Sequence, residues 1–232
     1  MLPKTFEKRI LRSALASKLA YDYKPHTSPE RQHPKNIKSI IRLQTPHLVA
    51  INTSKNNVIV AFKGSTTIDD VHSFMKMAPK EFRYRDATVH VHKGVLDMFQ
   101  FVQEQLDMVL TTLPTTNSNR PIVTFTGHSQ GGSLALFASA YYGSMFHGNL
   151  DVICHTFGAP RVGNLAFHEW HASQTLESIN ITHSCDVVPF IPMGFGYLPN
   201  PNLKTCRNVT ATCADIWTQH NMDTYLGSVH FD

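Results

Sequence analysis

Ser129 sits in Thr126-Gly127-His128-Ser129-Gln130-Gly131-Gly132, a Gly-x-Ser-x-Gly run. A strand-like apolar stretch, Ile122 to Thr126, precedes it, and a helix-like stretch, Leu134 to Phe146, follows. That context is the one a nucleophile elbow requires. A sharp strand-to-helix turn lifts the hydroxyl above the sheet edge. The neighbours two positions away must then be nearly free of side chain, which Gly127 and Gly131 satisfy. The N–H of Gln130 falls at a helix N-terminus, aimed where an oxyanion would form. A Gly-rich turn that does no chemistry is the plain alternative, and the correct flanks on both sides argue against it. The run lacks the Gly-Lys-Ser/Thr ending of a phosphate-binding loop.

A serine at its free pKa needs a base, usually a histidine, and a carboxylate to orient that base. Around such an elbow the chain order is serine, acid, histidine. The downstream aspartates are Asp151, Asp186, Asp215, Asp223 and Asp232. Asp151 opens a strand and so lies at the wrong sheet edge. Asp186 directly follows the Ile179–Cys185 stretch, at the strand end where open α/β sheets place ligands. Of the later histidines, His220 lies at a loop-to-helix junction, whereas His230 is close to the C-terminus, where fraying is usual. Asp186 and His220 are therefore the expected partners of Ser129. His128 is expected to support the turn, and His183 to be a packed or hydrogen-bonded neighbour. His90-x-His92 puts two imidazoles on one strand face, but without a third ligand it reads as a surface strand. His168-Glu169-Trp170-His171 misses the His-Glu-x-x-His spacing of a zinc protease. No motif suggests paired carboxylates for glycoside chemistry, and no metal or cofactor is called for.

The elements that would position these residues alternate along the chain. Phe6 to Tyr23 has apolar residues at helical spacing, Ile10, Leu11, Ala14, Leu15 and Leu19. Ile37–Leu43 and Leu48–Asn52 read as short strands, and Val58–Phe62, Ile122–Thr126, Val152–Phe157 and Ile179–Cys185 as buried ones. Val95–Leu110, Leu134–Phe146 and Leu165–Leu176 read as helices. Beyond Asp186 the pattern dissolves into a Pro/Gly/Asn-rich stretch. This alternation predicts an α/β layer fold with a mostly parallel central sheet flanked by helices. No linker divides it, so residues 1–232 read as one domain.

Composition narrows the classes. A chain of 232 residues buries roughly 70% or more of its unfolded surface and needs no disulfide staples. Charged residues are only 16%, which excludes a typical disordered protein and leaves much surface to neutral or apolar groups. The formal charge is +4, without the Lys/Arg clusters of a nucleic-acid binder. Met1 to Arg9 lacks a following apolar h-region, and no run is long enough to span a membrane. A cytoplasmic location is the default expectation, with reduced thiols at Cys154, Cys185, Cys206 and Cys213. The Cys206–Cys213 spacing also permits a pair. Oligomeric state is not legible.

Several segments together resemble the class 3 lipase family, the fungal-type triacylglycerol lipases within the α/β-hydrolases. The elbow matches, as do Thr156-Phe157-Gly158-Ala159-Pro160-Arg161-Val162-Gly163-Asn164, Asp186-Val187-Val188-Pro189, His220 with Tyr225, and Val91-His92-Lys93-Gly94. The resemblance runs from about Ala14 to Tyr225. It implies a lipid acyl ester as substrate and transient contact with a lipid interface. It also implies an oxyanion residue at Ser65 of Phe62-Lys63-Gly64-Ser65, where Lys63 departs from the family's arginine and cannot copy its planar bidentate bonds. Bottom-up, Ser65 fits the same role, just past a strand end.

The family further places an amphipathic lid over Thr67 to Lys80. There Ile68, Val71, Phe74, Met75 and Ala78 share one helical face. A helix packed on the core would show the same stripe. Phe195 and Tyr197 of Gly194–Pro199 could wall an acyl groove or form an apolar loop on the core. With His128, the residues Ile68, Val71, Phe74, Met75, Phe195 and Tyr197 are the substrate-binding candidates. Acylglycerol, phospholipid and small-ester substrates all stay open, as does a lipid- or partner-binding scaffold, against which the intact Ser129, Asp186 and His220 argue.

Overall fold

Alternate residues of a strand face opposite sides of its sheet. Accordingly, Val58, Val60 and Phe62 enter one apolar core while Ile59 and Ala61 enter another. The computed structural model describes residues 4–23, 39–41, 47–54, 56–67, 71, 74, 76–114, 120–206 and 216–228. The elements are α1 (Lys4–Asp22), β1 (Ser39–Ile41), β2 (Leu48–Ser54), β3 (Asn57–Phe62), β4 (Pro79–Tyr84), β5 (Ala87–His92), α2 (Lys93–Leu110), β6 (Ile122–His128), α3 (Gln130–Met145), β7 (Asp151–Phe157), α4 (Leu165–Gln174), β8 (Glu177–His183), a 3-10 turn (Val188–Phe190), β9 (Leu203–Cys206), α5 (Ile216–Gln219) and α6 (Met222–Ser228).

Among the described residues the main sheet runs β1-β2-β3-β6-β7-β8-β9. The pairs among β1, β2 and β3 are antiparallel, and those from β3 to β9 are parallel. The register aligns Phe62 with Gly127, His128 with Phe157, and Phe157 with Ile181. The segments that follow β3, β6, β7 and β8 therefore leave the sheet along one edge. They carry Ser65, Ser129, Gly158 and Asp186.

Helices α2, α3 and α4 and the β4–β5 hairpin enclose the larger core, whose centre includes Phe99, Phe125, Phe137 and Tyr142. Helix α1 covers the opposite face against β3 and β6. Its inner face buries Ile10 and Ala14, as expected, together with Ala16 and Ala20, and a polar stripe runs beside them where Leu11 and Leu15 were expected. Leu11 and Leu15 are 39% and 38% exposed, while Arg9, Ser13, Ser17 and Tyr21, four residues apart, bond to the sheet. Arg9 pairs with Glu177 at 2.7 Å. Ser13 Oγ meets His155 Nδ1 at 2.9 Å, Ser17 Oγ meets Thr126 Oγ1 at 3.0 Å, and the Tyr21 hydroxyl meets His128 Nδ1 at 2.8 Å. The cause lies in the sheet. Thr126, His128 and His155 project toward α1, and buried polar atoms require partners.

Three other expectations are corrected. A helix through Lys80 is displaced by β4, because proline disfavours helix in the residue before it and Pro79–Tyr84 pairs with Ala87–His92. Beyond Asp186 the chain is not all loop, since β9, α5 and α6 are formed. The thiols are not all reduced. Cys185 is disulfide-bonded, whereas Cys206 is free and buried. The Cys206 side chain enters the core where β9 pairs with β8, and its Sγ meets the Thr182 carbonyl at 3.3 Å. Cys213 lies outside the described residues.

The core histidines give a test of this packing. Burial pushes His171 down to about 3, helped by His168 nearby, and His92 down to about 4. An unfolded histidine titrates near 6.5. Between those values the unfolded chain binds more protons than the folded one, so stability is full above about pH 6.5 and falls as pH drops. Each such group contributes a slope of up to about 1.4 kcal/mol per pH unit. Urea unfolding between pH 7 and 4.5 is expected to show the slope, and His171→Gln to flatten it by about that amount. An unchanged slope would mean that His171 titrates normally in the fold.

Candidate active site

Ser129 ends the β6 strand run and precedes the first turn of α3 with φ 56° and ψ −131°. Left-handed backbone of this kind is strained in a non-glycine residue. The turn is held by the Ser129 N–H donating to the Phe157 carbonyl at 2.9 Å, and by Gly132 N–H donating to the Ser129 carbonyl at 2.8 Å. The two flanking glycines are sterically obligatory. A Cβ on Gly127 would lie 2.3 Å from the Gly131 carbonyl, and one on Gly131 would lie 2.3 Å from the Phe62 carbonyl.

The Ser129 Oγ is 2.8 Å from His220 Nε2, and His220 Nδ1 is 2.7 Å from Asp186 Oδ2. Each of these three residues is at most 3% exposed. Asp186 follows β8, and its Oδ1 accepts the Val188 N–H at 2.9 Å. The Tyr225 hydroxyl of α6 donates to Asp186 Oδ2 and accepts the His183 N–H at 3.2 Å. Burial and the Asp186 carboxylate hold the Tyr225 phenol well above its ordinary range, so it stays a donor. Gly158, with φ 60°, closes the wall. A Cβ there would meet Asp186 Oδ2 at 2.8 Å and His220 Cε1 at 3.1 Å. With Asp186 accepting at His220 Nδ1–H, Nε2 is left to accept the serine proton. The arrangement can deliver an alkoxide-like nucleophile.

Ser65 follows β3, and its buried Oγ has no hydrogen-bond partner. Ser65 and Gln130 both line a cavity of about 570 Å³, with Phe74, Met98, Phe101 and Leu134 among its apolar walls. Lys63 stands on the same wall. A second cavity, about 230 Å³, contains Ser129, His128 and His220 and shares Ser65 and Thr66 with the first. His128 lies ring to ring with His220 at 4.7 Å. Burial, with the neighbouring His220, drives its pKa far down, so it remains a neutral support fixed by Tyr21.

The substrate-binding candidates separate. Phe74 lines the larger cavity and stacks on His92 at 3.9 Å. Val71 is buried but lines neither cavity. Tyr197 lines neither; its hydroxyl donates to the Met77 carbonyl at 3.1 Å, which ties it to the structure beneath. Phe195 is 74% exposed and stands outside both cavities. Ile68 and Met75 lie outside the described residues.

The discounted groups have structural places. Asp151 pairs with Arg120 at 3.0 Å, and Asp223 with Lys18 at 2.8 Å. His171 Nε2 meets Ser139 Oγ at 3.0 Å. His90 is exposed, but His92, expected on the surface, is buried: its Nδ1 caps α2 by accepting the Gly94 N–H at 3.1 Å. Asp215, Asp232 and His230 lie outside the described residues. Among the described residues no group of three or more His, Cys, Asp or Glu could hold a metal ion. Tyr21 is the contributor that sequence reasoning missed, and its place in the i, i+4 polar stripe of α1 was the signal.

A mostly parallel sheet with a Ser–His–Asp chain at the end of its strands, the serine on a strained strand-to-helix turn, defines an α/β-hydrolase. The family model for lipase (class 3) matches residues 59–195, and the chain belongs to that family. It is 30% identical over 164 residues to a lipase of Rhizomucor miehei, covering 69% of this chain and 44% of that protein. It is 29% identical over 150 residues to secreted mono- and diacylglycerol lipase 1 of Fusarium solani, covering 64% and 44%. The chain thus spans less than half the length of these relatives. The Rhizomucor miehei lipase propeptide complex shares the fold with a TM-score of 0.68 at 23% identity, over 85% of this chain and 67% of that one. The Aspergillus oryzae mono- and diacylglycerol lipase does so with 0.64 at 21%, over 86% and 78%.

Proposed function

We propose that the chain is a serine hydrolase of lipid acyl esters, acylglycerols foremost. The observation that carries this reading is the unbroken, buried chain from Ser129 Oγ through His220 to Asp186, at 2.8 and 2.7 Å. Ser129 Oγ attacks the ester carbonyl carbon while His220 Nε2 takes its proton. The carbonyl oxygen becomes an oxyanion held by the N–H groups of Ser65 and Gln130, with the unpartnered Ser65 hydroxyl as a third donor. Each such donor is worth about 3–4 kcal/mol in comparable sites. His220 returns the proton to the leaving alcohol as the C–O bond breaks. Water, deprotonated by the same imidazole, then hydrolyses the acyl-enzyme.

The apolar walls of the larger cavity suit the acyl chain. Val187, Phe190, Met193, Phe195 and Leu198, all at least 38% exposed, follow Asp186 in the chain and supply apolar surface for contact with a lipid aggregate. The experiment is covalent labelling with a fluorophosphonate, alongside product analysis on triacylglycerol, monoacylglycerol and phospholipid. Label is expected on the peptide containing Ser129 and on none in Ser129→Ala. Persistent labelling of that variant would refute the assignment.

A further inference from the structure

Resting on the hydrolase reading, we infer that Lys63 fits the larger cavity to an acyl chain that itself carries a carboxylate, the half-ester of a dicarboxylic acid. Ser65 and Gln130 line this cavity, so an ester whose carbonyl sits at those two donors sends its acyl chain into it. The volume of about 570 Å³ is roughly nineteen water volumes at about 30 Å³ each, room for a chain of medium length. Phe74, Met98, Val102 and Leu134 make much of the wall apolar. One full charge stands on that wall without a counter-ion.

Among the described residues, Lys63 and Asp97 are the charged side chains on the lining. Asp97 is already engaged by Lys93, one turn earlier on α2. Lys63 enters no ion pair among the described residues. Its backbone is fixed at the end of β3, where its N–H donates to the His47 carbonyl at 2.8 Å. His47 lines the cavity as well, and partial burial, then the Lys63 charge, holds its imidazole below the usual histidine range. His47 is thus neutral, and the wall keeps the single positive charge of Lys63. A lysine that only reaches out to water is the plain alternative. The half-buried position of Lys63 and its effect on His47 argue against it. A cleft with low-dielectric walls and charge of one sign focuses its field and draws the opposite charge. A plain acyl chain leaves that field unanswered. A carboxylate on the chain answers it with a charge-assisted hydrogen bond from the ammonium, while the methylenes lie on the apolar wall. Lys63 is two residues from Ser65, at most about 7 Å along extended backbone, which favours diacids of short to medium length.

The test measures kcat/KM for the nitrophenyl half-esters of adipic, suberic and sebacic acid. Each is compared with the same compound whose free carboxyl is replaced by a neutral carboxamide. At the best length the carboxylate is expected to exceed the carboxamide about tenfold, the value of one hydrogen bond between charged groups at a partly solvated site. Lys63→Gln is expected to bring that ratio to about one, and Lys63→Glu to invert it. Each ratio is read within one variant, so a general change in activity cancels. A ratio of one or less at every length in the unaltered chain, or a ratio that Lys63→Gln leaves in place, overturns the role of Lys63 while the hydrolase reading stands. No turnover of these esters or of nitrophenyl octanoate overturns the hydrolase reading and the role of Lys63 with it.

Discussion

Ser129→Ala and His220→Ala are each expected to lower kcat toward a soluble acyl ester by about six orders of magnitude, and the double variant by no more than either alone. The non-additivity follows from the geometry. The Ser129 Oγ proton passes to His220 Nε2, 2.8 Å away, so both groups serve one step. Removing either group ends the same step. What survives is stabilisation by the Ser65 and Gln130 donors acting on water attack, about 10³–10⁴ over the uncatalysed rate in comparable sites. Both side chains are buried, so thermal unfolding must accompany the kinetics to show that the variants remain folded. The decisive comparison is with His128. Its ring lies 4.7 Å from His220, and its Nδ1 is already bonded to Tyr21 at 2.8 Å. If His220→Ala kept more than about one percent of the activity, the base would have to be reassigned, and His128 is the nearest candidate.

The elbow was legible because sterics at Gly127 and Gly131 leave so few alternatives that spacing alone carries the turn. Asp186 and His220 were legible for a different reason: chain order and strand ends constrain where an acid and a base can stand. The residues that brace them were not. The expected apolar face of α1 holds at Ile10 and Ala14, both fully buried, but Leu11 and Leu15 are 39% and 38% exposed while Ser13 and Ser17 are buried. A helix pattern says which residues share a side, not whether the sheet beneath that side is apolar. Here β6 and β7 present Thr126, His128 and His155, and only the assembled sheet reveals that demand. The same limit explains Phe195 and Tyr197, neighbours in a loop that share apolar character. One is 74% exposed and the other 4%, because backbone turns with positive φ at Gly194, Phe195 and Gly196 decide their directions. Strand β9 was missed because four residues with one lysine give too short an alternation to separate from loop.

Asp186→Asn is expected to lower kcat by about four orders of magnitude with little change in KM, as the same change does in serine proteases. The loss is a matter of tautomer. Asp186 accepts at both oxygens: Oδ1 from the Val188 N–H at 2.9 Å, and Oδ2 from His220 Nδ1–H and the Tyr225 hydroxyl. An asparagine has one carbonyl oxygen to serve both sides. If that oxygen faces His220, its amide N–H₂ meets the Val188 N–H, donor against donor in a buried site. If the amide is turned the other way, it donates to His220 Nδ1 and moves the imidazole proton to Nε2. An Nε2–H cannot accept the serine proton, so the base is lost although every ring stays in place. The first arrangement leaves a buried donor unsatisfied, at about 1–3 kcal/mol, so the second is favoured. Tyr225 adapts readily, because its hydroxyl can rotate. Tyr225→Phe is the control: it removes one donor to Asp186 without changing the tautomer and is expected to lose on the order of tenfold. Steady-state kinetics with one soluble ester, together with the rate of fluorophosphonate labelling, distinguishes the two. A loss below about tenfold in Asp186→Asn, or equal losses in both variants, would remove Asp186 from the role of orienting His220.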